Sequence, residues 1–140
     1  YLGLVDAGAV VPYPGADALL AWLGGQGLPC GLVTGASRRS TSRLLAAAGL
    51  DGRFGAIVTG DDVRRGKPDP EGYLRAVSLL GGETDEYLVV EDAISGARAA
   101  HAAGLRVAGV HDPEVAPEAD LYCASLPDLL ERLRSAGPSS

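Results

Sequence analysis

The sequence contains no methionine, one tryptophan, one phenylalanine and only two cysteines in 140 residues. Cys30 and Cys123 lie far apart and lack the spacing of metal ligands, which argues against a disulfide framework or a cysteine metal site. We expect two buried free thiols in a cytoplasmic protein. No apolar run approaches the roughly 20 residues that a membrane span needs. No charged segment followed by an apolar one indicates a signal peptide.

Basic residues are also scarce, with 12 lysines and arginines against 18 aspartates and glutamates and a formal net charge of -6. A chain of this charge repels a phosphate backbone, so nucleic acid is not an expected partner. The hydrophobic content of 46% and the charged content of 21% are close to those of globular domains. A chain of this length suffices for one domain with its own core.

Short β-branched runs alternate with longer segments that are rich in alanine and leucine. The pattern predicts strands at residues 30–33, 56–59, 87–90, 106–110 and 121–123, and helices at 16–24, 37–48, 69–80, 93–103 and 126–135. This alternation predicts a Rossmann-like three-layer α/β/α sandwich around a mainly parallel sheet. In such folds the chemistry collects at the carboxyl ends of the strands.

Polar residues follow three successive predicted strands. Thr34 and Gly35 open a helix after the first strand, where free backbone N–H groups favour an anion. Lys67 lies in a tight turn after the second strand, and Glu91 and Asp92 follow the third. Each has an ordinary alternative: a helix cap for the threonine turn and the acids, a solvated loop residue for the lysine. Together they could hold a phosphoryl group, neutralise its charge and bind Mg²⁺.

These blocks resemble the haloacid dehalogenase superfamily, in its branch of β-phosphoglucomutase- and phosphoglycolate-phosphatase-like enzymes. The matching stretches are LVTGAS at 32–37, GDD at 60–62, GKPDP at 66–70 and VVEDAISGA at 89–97. The resemblance covers residues from about 12 to about 133. It implies an Mg²⁺-dependent phosphatase, less readily a mutase, that acts on a small phosphorylated metabolite through an aspartyl phosphate.

The resemblance also assigns roles to individual residues. Thr34 matches the threonine whose hydroxyl binds the transferring phosphoryl group, and the Gly35 N–H would join it. Lys67 matches the lysine that neutralises the phosphoryl charge and steadies the nucleophile. Glu91 and Asp92 match the acids that hold Mg²⁺ directly or through water. Positioning and electrostatic stabilisation of this kind are most of what phosphoryl transfer requires from a protein.

The superfamily's first motif, Asp-x-Asp-Gly-Thr after a strand, is not recognisable in the sequence. Asp6 follows an apolar run, but Gly8 stands where the general acid belongs, so one interpretation is a degenerate motif in a non-catalytic phosphate- and Mg²⁺-binding module. Members of this branch carry a helical cap between the first and second motifs, and the preferred interpretation is that residues 1–11 are a remnant of that cap and its linker. Residues 12–136 are then the core domain and 137–140 a disordered tail, and the chain alone is expected to be almost inactive.

In the superfamily that the chain resembles, the strand of the first motif is the central one, so its loss would leave a gap between the strands that end at Thr34 and Glu91. A gap there leaves two inner strands with unpaired backbone groups, so we expect it to be filled. A missing N-terminal segment, a second chain, or residues 2–5 as a surrogate strand could fill it. A flavodoxin-like receiver domain is a weaker alternative, because receivers carry the acid pair after the first strand and the lysine after the last.

Overall fold

The computed structural model describes residues 2–5, 7–11 and 13–136 of the chain. Within these residues six strands form one sheet in the order β3-β2-β1-β4-β5-β6, and every neighbouring pair is parallel. The strands are β1 Leu2–Val5, β2 Cys30–Val33, β3 Ala56–Val58, β4 Tyr87–Glu91, β5 Arg106–Val110 and β6 Leu121–Cys123. The predicted parallel α/β sheet is therefore confirmed.

Helices follow the strands along the chain and cover both faces of the sheet. They are α1 Ala7–Val10, α2 Ala16–Gly25, α3 Arg38–Ala48, α4 Glu71–Leu80, α5 Ile94–Ala102 and α6 Leu126–Ser135. Short 3₁₀ turns lie at Gly60–Asp62, Thr84–Glu86 and Pro113–Glu118. Within the described ranges, no helix combines the length and the apolar character that crossing a bilayer requires.

Two hydrophobic cores lie on opposite faces of the sheet. Leucines of α2 and α6 pack with β1 and β2 residues on one face, with Leu19, Leu32 and Leu129 fully buried. Alanines of α4 and α5 pack against Tyr87 and other strand residues on the second face. Buried strand residues on both faces explain why the strands read as continuous apolar runs rather than as alternating ones.

The central position of the sheet is occupied by β1. Val5 pairs with Leu32 of β2 and with Val90 of β4, so β1 separates the two strands that precede Thr34 and carry Glu91. This confirms that the slot is filled, and the surrogate strand at residues 2–5 is the arrangement that the structure shows. Residues 2–5 are thus integrated with the core sheet, and their interpretation as part of a cap remnant stays a prediction.

Predicted and observed element boundaries agree closely where the sequence carries local end signals. The helix expected at 37–48 begins after Ser37, whose side chain accepts the Ser40 N–H, and ends at Gly49 with φ 70°. The short helix α1 and the 3₁₀ turns were not predicted. Cys30 and Cys123 are buried free thiols as expected, and burial raises the pKa of Cys30 to about 12. The predicted tail at 137–140 lies outside the described residues.

Candidate active site

The loop after β2 brings Thr34 and Gly35 to the carboxyl edge of the sheet. The Thr34 N–H continues the β-ladder by donating to the Val58 carbonyl at 2.9 Å. Its hydroxyl oxygen accepts the Ala36 N–H at 3.1 Å. Since the hydroxyl accepts this bond, its own proton remains available to a ligand oxygen. The predicted phosphate residues are therefore held by backbone contacts at the start of α3.

The loops after β2 and β3 are locked together. The Gly60 N–H donates to the Ala36 carbonyl at 2.7 Å, and a Cβ at Gly60 would overlap the Gly35 carbonyl oxygen. The Arg38 N–H donates to Asp61 at 2.8 Å across the same junction. A residue larger than glycine at position 60 would push the Gly35 backbone out of place.

Asp62 supports this junction from the β3 side. Its carboxylate accepts the Thr59 N–H at 2.8 Å and the Thr59 hydroxyl at 2.9 Å, and it pairs with the Arg38 guanidinium at 2.5 Å. The Thr59 N–H bond is the main cause that lowers the pKa of Asp62 below the ordinary value of 3.8, with the hydroxyl and Arg38 adding to it and burial opposing it. Asp61 and Asp62 therefore hold the junction between the two loops.

Lys67 reaches from its loop across the sheet edge to the end of β4. Its Nζ donates to Glu91 Oε2 at 2.7 Å and to the Val33 carbonyl at 3.4 Å. Only 16% of the lysine side chain and 1% of the glutamate side chain are exposed. The structure thus brings Lys67 and Glu91, which follow different predicted strands, into direct contact as a buried ion pair.

Tyr73 of α4 completes this ion pair. Its hydroxyl donates to Glu91 Oε2 at 2.6 Å, and its ring centroid lies 5.0 Å from the Lys67 ammonium. The other carboxylate oxygen of Glu91 accepts the Asp92 N–H at 3.2 Å. A carboxylate with such low exposure needs partners of this kind, because a buried charge without them is strongly unfavourable.

Gly96 of α5 makes the space in which the Glu91 carboxylate lies. A Cβ built at Gly96 would overlap both carboxylate oxygens and the Cδ of Glu91. Gly96 is itself buried within a helix, where glycine costs roughly 1 kcal/mol relative to alanine. The cost is offset by the close approach of the acid that α5 would otherwise exclude.

The predicted metal residues are placed differently from one another. Glu91 is buried against Lys67 and Tyr73, whereas Asp92 is half-buried at the carboxyl end of β4. Among the described residues no three Asp, Glu, His or Cys side chains come together as a metal cluster. Mg²⁺ commonly takes one or two protein carboxylates and fills its shell with water and phosphate. Asp92, with Glu91 behind it, fits a Mg²⁺ ion whose remaining ligands are water and phosphate.

A cavity of about 240 Å³ opens beside Lys67, and neither Glu91 nor Asp92 is among the described residues that line it. Its wall includes Thr34, Gly35 and Lys67, the three residues predicted to bind phosphate. Its other charged lining residues are Arg64, Arg65 and Asp69. The cavity therefore combines a hydroxyl, backbone N–H groups and an excess of positive charge, which suits an anion.

Two contributors to this site were not singled out in the sequence: Tyr73 and Gly96. A glycine inside a predicted helix is a usable signal, because it weakens the helix unless a close neighbour requires it. Tyr73 carries no comparable signal, since a buried tyrosine on the apolar face of a helix is ordinary core. Its contact with Glu91 depends on how α4 and β4 meet, which local sequence does not specify. Asp6, the first-motif candidate, lies outside the described residues.

The sequence of the chain is similar to those of known proteins. A sequence model described as "haloacid dehalogenase-like hydrolase" matches residues 3–104. The chain belongs to this family. It is 39% identical over 142 residues to "Validoxylamine A 7'-phosphate phosphatase" of Streptomyces hygroscopicus subsp. limoneus, a match that covers 99% of this chain and 66% of that one.

A second protein is similar in sequence, and a solved structure is similar in fold. "Hexitol phosphatase A" of Escherichia coli is 36% identical, over 90% of this chain and 59% of its own length. The crystal structure of a beta-phosphoglucomutase from Clostridium difficile superposes with a TM-score of 0.79 at 26% identity, covering 88% of this chain and 55% of that chain. The chain thus spans about 60% of the length of these proteins.

Proposed function

We propose that these loops are the phosphate- and Mg²⁺-binding part of a phosphatase that hydrolyses a small phosphorylated metabolite. The observation that carries the proposal is the Lys67 ammonium, held by Glu91 and Tyr73 at the wall of the cavity that contains Thr34 and Gly35. Relatives named as phosphatases favour hydrolysis over mutase chemistry.

Three lining residues have defined tasks toward a phosphoryl group. Lys67 supplies a fixed positive charge, and the Gly35 N–H and the Thr34 hydroxyl donate hydrogen bonds at the start of α3. Glu91 and Tyr73 act through Lys67 by fixing its position. Preorganised donors of this kind stabilise the negative charge of transferring phosphoryl oxygens without rearranging during the reaction.

Asp92 would hold Mg²⁺ at the end of β4, and Glu91, whose buried carboxylate already accepts bonds from Lys67, Tyr73 and the Asp92 N–H, would support it from behind. When bound, the ion neutralises phosphoryl charge and orients the ester. None of the described residues is assigned as the nucleophile. We propose that the aspartyl-phosphate step needs a carboxylate outside the described residues, and that the chain alone binds phosphate but turns over almost no ester.

Calorimetric titration of inorganic phosphate into the purified chain, with and without MgCl₂, tests the proposal. We expect saturable binding that Mg²⁺ tightens and that Thr34→Val and Lys67→Met each weaken, the latter by about tenfold or more. Arg53→Met removes an exposed partner of Asp17 and serves as the control with unchanged affinity. No binding, or equal affinity in all variants, would contradict the proposal.

A parallel assay with p-nitrophenyl phosphate addresses the nucleophile. We expect negligible hydrolysis by the chain at any Mg²⁺ concentration. Mg²⁺-dependent hydrolysis that disappears in Asp6→Asn would show instead that Asp6 is the nucleophile. Phosphate binding without turnover in a chain whose full coding sequence matches its mass would favour the non-catalytic module.

A further inference from the structure

The loop between β3 and α4 places two arginines beside the phosphate residues. Arg64 and Arg65 line the same cavity as Thr34 and Lys67. They also line an adjoining open groove of about 650 Å³ that continues along α4 past Arg75. The two spaces are contiguous through these arginines, so a ligand anchored at Lys67 can extend between them.

The backbone of this loop is fixed by Glu71. One carboxylate oxygen of Glu71 accepts the Arg64 N–H at 2.8 Å, and the other accepts the Arg65 N–H at 3.2 Å. The Glu71 N–H is in turn bound by Asp69 at 3.0 Å. Both arginines are therefore held at defined positions at the cavity mouth, although their side chains extend into solvent.

Among the described residues, the guanidinium groups of Arg64 and Arg65 form no close ion pair. Arg65 approaches Asp69 only at 4.0 Å with 79% of its side chain exposed, and Arg64 has no ion pair with the described residues. By contrast, Arg38 and Arg98 pair with carboxylates at 2.5 and 2.9 Å. The guanidinium N–H groups of Arg64 and Arg65 can therefore donate hydrogen bonds to a ligand.

Charge around the cavity runs against the charge of the whole molecule. The charged residues of its wall are Arg64, Arg65, Lys67 and one acid, Asp69, in a chain with net charge -6. A single bound phosphoryl group would use Lys67, Thr34 and Gly35 as its partners. Two further arginines at the same cavity are more than a single phosphate requires.

We propose that Arg64 and Arg65 form a subsite for a second anionic group of the substrate, a carboxylate or a second phosphate. The substrate class is then a phosphomonoester with two acidic ends, one at Lys67 and one at the arginine pair. This inference rests on the proposed phosphate site. Planar guanidinium groups bind carboxylate and phosphate oxygens in pairs, which gives such a subsite selectivity over a neutral end.

The test compares ligands that differ only at the second end. The purified chain is titrated with 3-phosphoglycerate, with glycerol 3-phosphate, and with glycerol 1,3-bisphosphate. We expect 3-phosphoglycerate to bind about tenfold more tightly than glycerol 3-phosphate, a difference that shrinks to about twofold in Arg64→Gln/Arg65→Gln. The bisphosphate shows whether a second phosphate serves as well as the carboxylate.

Matched controls separate the subsite from the phosphate site. Arg39→Gln/Arg43→Gln makes the same change of net charge on exposed residues of α3 that do not line the cavity, and it should preserve the preference. Affinity for inorganic phosphate should change little in either double variant. Phosphate binding that depends on Lys67 without any preference for a second anion overturns the subsite alone. Absence of phosphate binding overturns both proposals.

Discussion

The carboxyl edge of the sheet has two halves whose polar residues serve different purposes. After β2, β3 and β4, Lys67 forms a buried ion pair with Glu91 and lines a cavity. After β5, His111 stacks on Tyr13 with ring centroids 3.5 Å apart, and its Nε2 lies 2.8 Å from the Ala9 carbonyl oxygen. In the first half, Lys67 presents its charge to a cavity that a ligand can enter. In the second half, His111 makes contacts within the protein that stabilise the fold.

The comparison shows that position at a strand end is not sufficient to assign chemistry. His111 has the left-handed φ of 67°, a conformation that is uncommon for residues other than glycine and often marks functional sites. Yet its backbone N–H and carbonyl also bond to β6 residues, at Cys123 and Tyr122. The strain at His111 is therefore explained by packing, and buried charge beside a cavity is the better guide to function.

The largest effect is expected from Lys67→Met, which leaves the Glu91 carboxylate buried without its cation. Removing one partner of a buried pair typically costs about 3–5 kcal/mol, so we expect the free energy of unfolding to fall by about that much. Arg98→Met removes the cation of an exposed pair with Glu118 and should cost less than about 1 kcal/mol. Urea denaturation of both variants gives the comparison.

The double variant Lys67→Met/Glu91→Gln sharpens this prediction. Since the uncompensated charge is then absent, stability should recover a large part of the loss while phosphate affinity stays low. Equal destabilisation by Lys67→Met and Arg98→Met would show that the ion pair at the site is no different from an ordinary surface pair.

Gly96→Ala should displace the Glu91 carboxylate, because the new methyl group would occupy its position. Overpacking of this kind costs about 1–3 kcal/mol, and we expect weaker phosphate binding as Lys67 loses its anchor. Gly24→Ala is the matched control in α2, where nothing lies within 4 Å of the added Cβ. It should leave affinity unchanged and slightly raise the thermal midpoint. A Gly96→Ala protein with normal phosphate affinity would contradict the role of Glu91.

Tyr73→Phe removes only the hydroxyl, which donates to the same Glu91 oxygen as Lys67. A hydrogen bond to a charged group contributes about 1.5–3 kcal/mol, so both stability and phosphate affinity should fall. Tyr87→Phe is the control, since the buried Tyr87 hydroxyl donates to the Gly81 carbonyl away from the cavity. It should lower stability without changing affinity. Equal phosphate affinities in the two variants would make Tyr73 an ordinary core residue.

His111→Ala tests the other half of the edge. Loss of the Tyr13 stack and of the Ala9 contact should destabilise the fold by about 1 kcal/mol, partly offset because the strained histidine is removed. Phosphate affinity, measured by calorimetry, should be unchanged. A loss of phosphate affinity comparable with that of Thr34→Val would abolish the distinction between the two halves.

The smallest expected effect is the pH dependence that Asp62 contributes. The pKa of Asp62 is lowered in the fold, so the ionised carboxylate stabilises the protein at pH values above the ordinary pKa of 3.8. That contribution is lost as the pH falls through the lowered pKa. The stability difference between wild type and Asp62→Asn should therefore be full near about pH 7 and shrink below about pH 3. A difference that grows on acidification would contradict this assignment.

Much of the fold was predictable because its signals are local. Glycines, prolines and the serine cap mark helix ends, and apolar runs mark buried strands, as with Ser37 and Gly49 around α3. The order of Thr34, Lys67 and Glu91 along the chain predicted a common edge. The direct contact between Lys67 and Glu91, and the places of Tyr73 and Gly96, depend on how separate helices pack, which no short stretch of sequence encodes.

The most direct test of the central claim uses the fact that Lys67 is the only lysine in the sequence. The ammonium group of ¹⁵N-lysine-labelled protein gives one Nζ resonance by NMR, so its response to a ligand is unambiguous. We predict that inorganic phosphate shifts this resonance in a saturable way, and that Thr34→Val weakens the response. An ammonium resonance that stays unchanged at saturating phosphate would contradict the assignment of the cavity as a phosphoryl site.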